Sequence, residues 1–306
     1  MASPYTTNSL FDVAGLVVVV TGGARGLGRI IAQSIAANGA AAVYLLDVNS
    51  EGMATTKNTS SAPDVIHTVT CDVTNKKSLA EATGRVRDEV GYCDVVFANA
   101  GVLEANTSCD MEKDVNGSST KKTTLKSLQE KLWTPSVDDV VHTLTVNVAG
   151  VYFTAIAFLN LLDEGNKRRA MTTTTVPQKS QIIVTSSITS FMRGCEGGFS
   201  YSASKAAVTH LYKCLSTTLA PFKIRVNALA PGFFPTTMTR EMLAGADGDP
   251  RREGALSAAF SPLERSGCEE DLAGTALFLV SKAGAYINGN CVILDGGLIG
   301  VTPSTY

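Results

Sequence analysis

Histidine is scarce in this chain. The 306 residues hold three, at positions 67, 142 and 210, too far apart for metal-ligand spacing, so no metal centre is expected. Cysteine occurs seven times (71, 93, 109, 195, 214, 268 and 291) without a CxxC pair. An odd, scattered set in a long chain argues for a reducing, cytoplasmic setting and against a disulfide scaffold. Charge is thin: 18% of residues, net −2, with no basic stripe, so nucleic acid is not an expected partner. The opening Met1-Ala-Ser-Pro-Tyr-Thr-Thr lacks the cationic start and apolar core of a signal peptide, and the apolar run Leu16 to Val20 is far too short to cross a bilayer. No membrane partner is expected. No internal repeat and no linker between halves is visible, which points to one domain spanning 1–306.

What is present is apolar residue, 44% of the chain, enough for a sizeable core. Leu16 to Val20 reads as a strand buried on both faces. Further apolar strands follow at Val43–Leu46, Val65–Val69, Val95–Phe97, Ile182–Val184, Ile224–Leu229 and Val292–Leu294. Helical patterns fill the gaps: one after Gly28 closed by Asn38-Gly39, then about 77–90, 137–162, 201–220 and 268–281. Strands alternating with helices predict a doubly wound parallel α/β sheet with helices on both faces. Ligands bind such sheets beyond the carboxyl ends of the strands. Two polar stretches, 103–136 and 164–180, exceed ordinary connections and read as insert loops.

The chemistry-bearing residues follow strand ends. Thr21-Gly-Gly-Ala-Arg-Gly-Leu-Gly28 joins the first strand to a helix; Gly22, Gly26 and Gly28 would let the backbone approach a pyrophosphate at the helix N-terminus. Asp47 ends the second strand, where a carboxylate can accept from ribose hydroxyls and repels a 2′-phosphate. This favours NAD(H) over NADP(H), with Arg25 as the residue that would serve the alternative. Tyr201 and Lys205 are four apart on one helix face. A phenol titrates near about 10, and a neighbouring ammonium should lower that value.

Taken in order, Thr21-Gly22-x-x-x-Gly26-x-Gly28, Asn99-Ala100-Gly101, Asn147, Ser187, Tyr201-x-x-x-Lys205, Pro231-Gly232 and Asp295-Gly-Gly297 resemble the short-chain dehydrogenase/reductase family over about residues 16–297. The resemblance implies a Rossmann-type fold and a nicotinamide cofactor. It implies Tyr201 as catalytic acid or base, Lys205 as the group that depresses its pKa and holds the ribose, and Ser187 as the partner of the substrate oxygen. Ser186 is the lesser candidate. Asn147 would position a relay water. It places Arg25, Leu27, Asp72, Val73, Asn99, Ala100 and Gly101 along the adenosine half, and Pro231, Gly232, Phe234 and Thr236 at the nicotinamide carboxamide.

In the family the region 233–265 is a substrate lid. Here it holds Phe233, Met238, Met242, Leu256 and Phe260, and a bulky apolar carbonyl or alcohol substrate is expected if these face the site. Parts of the sequence are similar to the 3-oxoacyl-carrier reductase branch linked to rhamnolipids. The family also implies a homotetramer or homodimer. The expected activity is hydride transfer between nicotinamide and a ketone or secondary alcohol. Epimerase or dehydratase chemistry and a cofactor-sensing binding protein are the alternatives.

Overall fold

The computed structural model describes residues 5–104, 124–170, 178–194 and 197–306. Seven strands, β1 (Val17–Thr21), β2 (Ala42–Asp47), β3 (Ile66–Thr70), β4 (Val95–Ala98), β5 (Gln181–Thr185), β6 (Arg225–Pro231) and β7 (Cys291–Leu294), form one sheet in the order β3-β2-β1-β4-β5-β6-β7. Every neighbouring pair is parallel. The helices are α1 (Thr7–Leu10), α2 (Gly26–Ala37), α3 (Ser50–Asn58), α4 (Lys76–Glu89), α5 (Leu125–Leu132), α6 (Val137–Leu144), α7 (Val151–Ala157), α8 (Leu159–Ala170), α9 (Phe199–Leu219), α10 (Glu269–Val280) and α11 (Leu298–Val301).

The unbroken apolar run of β1 has a direct cause. Val17 and Val19 enter one core layer with α4, α7, α8 and α9, while Val18 and Val20 enter the other with α2 and α10. Tyr44 and Leu46 of β2 likewise face the first layer, Val43 and Leu45 the second. A strand covered on both faces has no solvent side on which to alternate polar residues. The strand order reverses between β1 and β4, so a crevice opens at their carboxyl ends.

At the opposite end of the sheet lies part of the stretch expected as the insert loop 164–180, of which residues 171–177 lie outside the described ones. Helix α8 runs to Ala170, and two of its arginines turn onto Asp94. The Arg169 Nε donates to Asp94 Oδ1 at 2.8 Å, and the Val17 N–H donates to Asp94 Oδ2 at 2.8 Å. The carboxylate is almost fully buried (2% exposed), and burying it demands such partners. The other expected insert, 103–136, also contains a helix, α5, whose first turn is closed by a Thr124–Ser127 capping box; residues 105–123 lie outside the described ones. The helix expected over 137–162 breaks at Phe158.

Helices α6 and α7 are joined by a π-helical turn, Thr145–Gly150, into one 21-residue stretch, Val137–Ala157. By length and composition it could cross a bilayer, with a mean hydropathy of 1.5, and 39% of that window is buried in the fold. Core helices meet the same criterion. Its centre carries a fully buried polar residue, Asn147.

Candidate active site

The carboxyl ends of β1, β4 and β5 are laced together by side chains. The Asn99 Nδ2 donates to the Thr21 carbonyl at 3.1 Å, and its Oδ1 accepts from the Thr185 hydroxyl at 3.0 Å. The Thr21 hydroxyl accepts from the Asn99 and Ala100 N–H groups at 3.0 and 3.1 Å. The Thr185 carbonyl in turn accepts from the Lys205 Nζ at 2.9 Å. The lysine of α9 is thus fixed at the end of β5 although it lies twenty positions away in sequence.

Around that ammonium the expected residues converge. The Lys205 Nζ stands 5.6 Å from the centre of the Tyr201 ring. The Ser187 hydroxyl lies on the Tyr201 side, where it favours the ionised phenol, and it accepts from the Thr189 N–H at 3.2 Å. Ser186 points the other way: its hydroxyl donates to the Lys205 carbonyl at 3.2 Å and pairs with Thr209 at 2.6 Å. Successive residues leaving a strand face opposite sides, and this separates the two serines. Asn147 is held by both ends of its amide. Its Oδ1 accepts from the Val102 N–H at 2.8 Å, and its Nδ2 donates to the Val102 carbonyl at 3.0 Å and to the Ser204 hydroxyl at 2.9 Å. Its place in a π-helical turn matches the frequent use of such turns at functional sites.

The electrostatics differ from the expected picture. Burial, not the ammonium, dominates the phenol, and Tyr201 is pushed up to about 12, with the Ser187 hydroxyl opposing. Burial also pushes the Lys205 ammonium down to about 8. Both groups are driven toward their neutral forms, because each charge would be poorly solvated there.

The turn after β1 fits a dinucleotide. Helix α2 has no side-chain cap, so the N–H groups of its first turn are free for an anion. Gly28 has no room for a side chain: an added Cβ would stand 2.1 Å from the Gly22 carbonyl oxygen. Gly22 has φ +69°, and its own Cβ would meet the Ala100 Cα at 2.9 Å. Asp47 is pinned beside this turn, Oδ2 accepting from the Ala24 N–H at 3.0 Å and Oδ1 from the Asn49 N–H at 3.0 Å. Arg25 is exposed at the start of α2, Leu27 packs on the core layer beneath, and Gly26 lies against Thr236. Asp72 is exposed, its Oδ1 accepting from the Thr74 N–H at 2.8 Å.

Two expected contacts take a different form. The Val73 side chain belongs to the core, packed beneath Gly150. The Phe234 ring is buried in the core layer of α2 and α10 and packs against Gly267. Pro231 and Gly232 complete the edge, with the Gly232 N–H donating to the Leu294 carbonyl at 2.7 Å.

Gly101 also belongs to the cluster, since a Cβ on it would stand 3.2 Å from the Asn147 Oδ1 and 3.5 Å from the Lys205 Nζ. Sequence reasoning passed over Thr185, Leu103 and the Gly197-Gly198 pair. The pair, shortly before Tyr201, was the available signal for a tight turn.

The profile of the short chain dehydrogenase family matches residues 16–247. Short-chain dehydrogenase/reductase PhomF of Diaporthe leptostromiformis is 40% identical over 297 residues, covering 97% of this chain and 96% of that protein. Among solved structures, the Pseudomonas aeruginosa RhlG/NADP active-site complex superposes with a TM-score of 0.74 at 27% identity, covering 94% of this chain and 98% of that one. The likeness to RhlG agrees with the expected rhamnolipid-linked branch. The 3-ketoacyl-(acyl-carrier-protein) reductase of Brucella melitensis, solved with NADH, shares the fold at a TM-score of 0.70 and 23% identity, covering 94% and 99%.

The Lys205 position has a measurable consequence in the protein without nucleotide. Its folded pKa, about 8, lies below the ordinary 10.5, so between those values the unfolded chain binds a proton that the folded chain does not. Stability contributed at this position therefore rises with pH across that window, having been lowest below about 8. Urea denaturation of the wild type against Lys205→Met should show a difference that changes steadily from pH 8 to 10.5. A constant difference would contradict the assignment.

Proposed function

We propose that this chain, which belongs to the short-chain dehydrogenase/reductase family, transfers hydride between a nicotinamide nucleotide and a ketone or secondary alcohol, with Tyr201 as the acid or base. The observation that carries the reading is the meeting of Ser187, Tyr201 and Lys205 at the end of β5, next to the crevice between β1 and β4. A bound nicotinamide would supply the hydride donor or acceptor. The chain's own residues do the rest. Ser187 holds the substrate oxygen by a hydrogen bond. The Tyr201 phenol, kept protonated at neutral pH by burial, delivers a proton to that oxygen in reduction and recovers it in oxidation. Lys205, anchored on the Thr185 carbonyl, holds the ribose hydroxyls, and Asn147 fixes the Val102 backbone beside it and positions the relay water.

The first turn of α2 would hold the pyrophosphate, with Gly22, Gly26 and Gly28 letting it approach. Arg25, Leu27, Asp72, Val73 and the Asn99-Ala100-Gly101 backbone would border the adenosine half, and Pro231, Gly232, the Phe234 backbone and Thr236 the carboxamide. Asp47, placed where the adenosine ribose would lie, supports NAD(H) as the preferred nucleotide, with NADP(H) as the alternative. A cavity of about 490 Å³, lined by Phe233, Leu256, Phe260 and Ile293 on one side and by Arg265, Asp271 and Asp295 on another, supports a bulky, partly apolar substrate. It adjoins the small apolar cluster containing Ile188, the residue after Ser187.

Homo-oligomer formation is part of the proposal. Val137, Val141, Leu144, Tyr152 and Ile156 are exposed at helical spacing along Val137–Ala157, a stripe suited to a second copy. Light scattering should give a multiple of 32.1 kDa, and a monomer mass at micromolar concentration would refute this part.

Tyr201→Phe should bind nucleotide as the wild type does and lose about 10²–10⁴-fold in turnover of a ketone panel followed by nicotinamide absorbance. Near-normal turnover in that variant would overturn the role of Tyr201. Asp47→Ala should lower the ratio of kcat/KM for NADH over NADPH by roughly tenfold, the effect of about 1.4 kcal/mol. A wild-type preference for NADPH would refute the nucleotide assignment.

A further inference from the structure

The loop that leaves Ser187 is fastened by a segment more than one hundred positions away. Residues 302–306 lie antiparallel to Phe191–Arg193, with Met192 and Ser304 paired as an isolated β-bridge. The Arg193 N–H donates to the Pro303 carbonyl at 2.8 Å, and the Thr305 N–H donates to the Phe191 carbonyl at 2.7 Å. The Thr305 hydroxyl donates to that same carbonyl at 3.2 Å. The Tyr306 ring meets the Phe191 ring edge-on, centroids 5.3 Å apart. The Ser304 hydroxyl ties the segment back to α11 through the Ile299 carbonyl at 3.0 Å. Leu298 and Ile299 of that helix pack with Ile188, and Phe191 and Met192 lie against them.

At its other end the same loop crosses the candidate acid. Gly197 and Gly198 take φ values of +92° and +87° immediately before α9, a region glycine enters without strain. Gly197 is so close to Tyr201 that an added Cβ would stand 3.3 Å from the ring Cδ1 and 3.6 Å from a methyl of Leu103. Ser187 and Gly197, before and after residues 188–194 in the chain, thus both lie next to Tyr201. Among the described residues the loop's own turn bonds, Ser190 N–H to Ser187 O and Phe191 N–H to Ile188 O, lie in its first half.

We infer that residues 302–306 form a positioning clamp for the carbonyl side of the site. By holding Phe191–Arg193 and, through their shared packing, Ile188, the clamp keeps the adjacent Ser187 placed beside Tyr201. It thereby governs which carbonyl substrates reach the proton donor. The nucleotide half, built on β1, β2 and β4, makes no contact with it among the described hydrogen bonds. This inference rests on the proposed roles of Ser187 and Tyr201.

The test pairs Thr305→Pro, which removes the N–H given to Phe191, with Tyr306→Ala, which removes the ring contact; Tyr306→Phe keeps the ring. In the double variant, amide hydrogen exchange at Arg193 should quicken by about tenfold or more, because its acceptor is no longer held. Nucleotide Kd should stay within about twofold, while KM rises and kcat/KM falls roughly tenfold for the bulkier of two homologous ketones. Tyr306→Phe should behave as the wild type in all three readouts. Faster exchange at Arg193 with unchanged ketone kinetics would overturn the clamp and leave Ser187 and Tyr201 in place. Parallel weakening of nucleotide binding would also overturn it, by exposing a general loss of structure. A wild-type protein that reduces no ketone would instead refute the parent reading, and the clamp's proposed purpose with it.

Discussion

The structure depends on how three adjacent parallel strands end. Where β1, β4 and β5 stop, their last peptide groups lose ladder partners, and a buried group left without a partner costs about 1–3 kcal/mol. Asn99 resolves this by donating to the Thr21 carbonyl on one side and accepting from Thr185 on the other. The same lace brings the Thr185 carbonyl to Lys205. An interaction needed to finish the sheet thus also decides where an ammonium stands in the crevice.

That placement sets the chemistry available. A lysine and a tyrosine one helical turn apart would, in water, sit near their ordinary pKa values. In the crevice, removal from water outweighs their mutual attraction: the phenol is pushed up to about 12 and the ammonium down to about 8. The outcome is a protonated phenol near Ser187, beside a lysine whose charge is weakly held. Such a lysine responds readily to any nearby anion or hydroxyl, so the site's protonation is sensitive to what enters it.

The opposite end of the sheet shows the same economy. Asp94 receives the Val17 N–H and the guanidinium of Arg169, so α8 is joined to β1 and β4 by one buried carboxylate. The apolar stripe on Val137–Ala157 reflects another division of labour, since one face of this helix secures Asn147 and the other is left for an external surface.

Much of this was legible in the chain. Seven apolar runs became seven strands within one or two residues; the five inner ones are apolar-rich because both their faces are buried, while the edge strands β3 and β7 are only partly covered. The order of glycine turn, Asn99, Asn147, Ser187, Tyr201 and Lys205 marked one crevice, because parallel sheets gather their loops at one edge. The stretch 164–180 reads as an insert loop from its polarity, and its pairing of Arg168 and Arg169 with Asp94 is visible only across the fold. The short helix α3 carries too little apolar periodicity to be found, whereas α5, with Leu125, Leu128 and Leu132 at i, i+3 and i+7, was hidden by the polar stretch around it. Local composition thus determined the sheet, its two-sided core and the residues able to do chemistry. Tertiary structure alone decided which serine faces the phenol, that burial rather than the ammonium sets its proton affinity, and that residues 302–306 grip the loop between them. Those depend on distances across the fold, and separation along the chain does not encode distance in space.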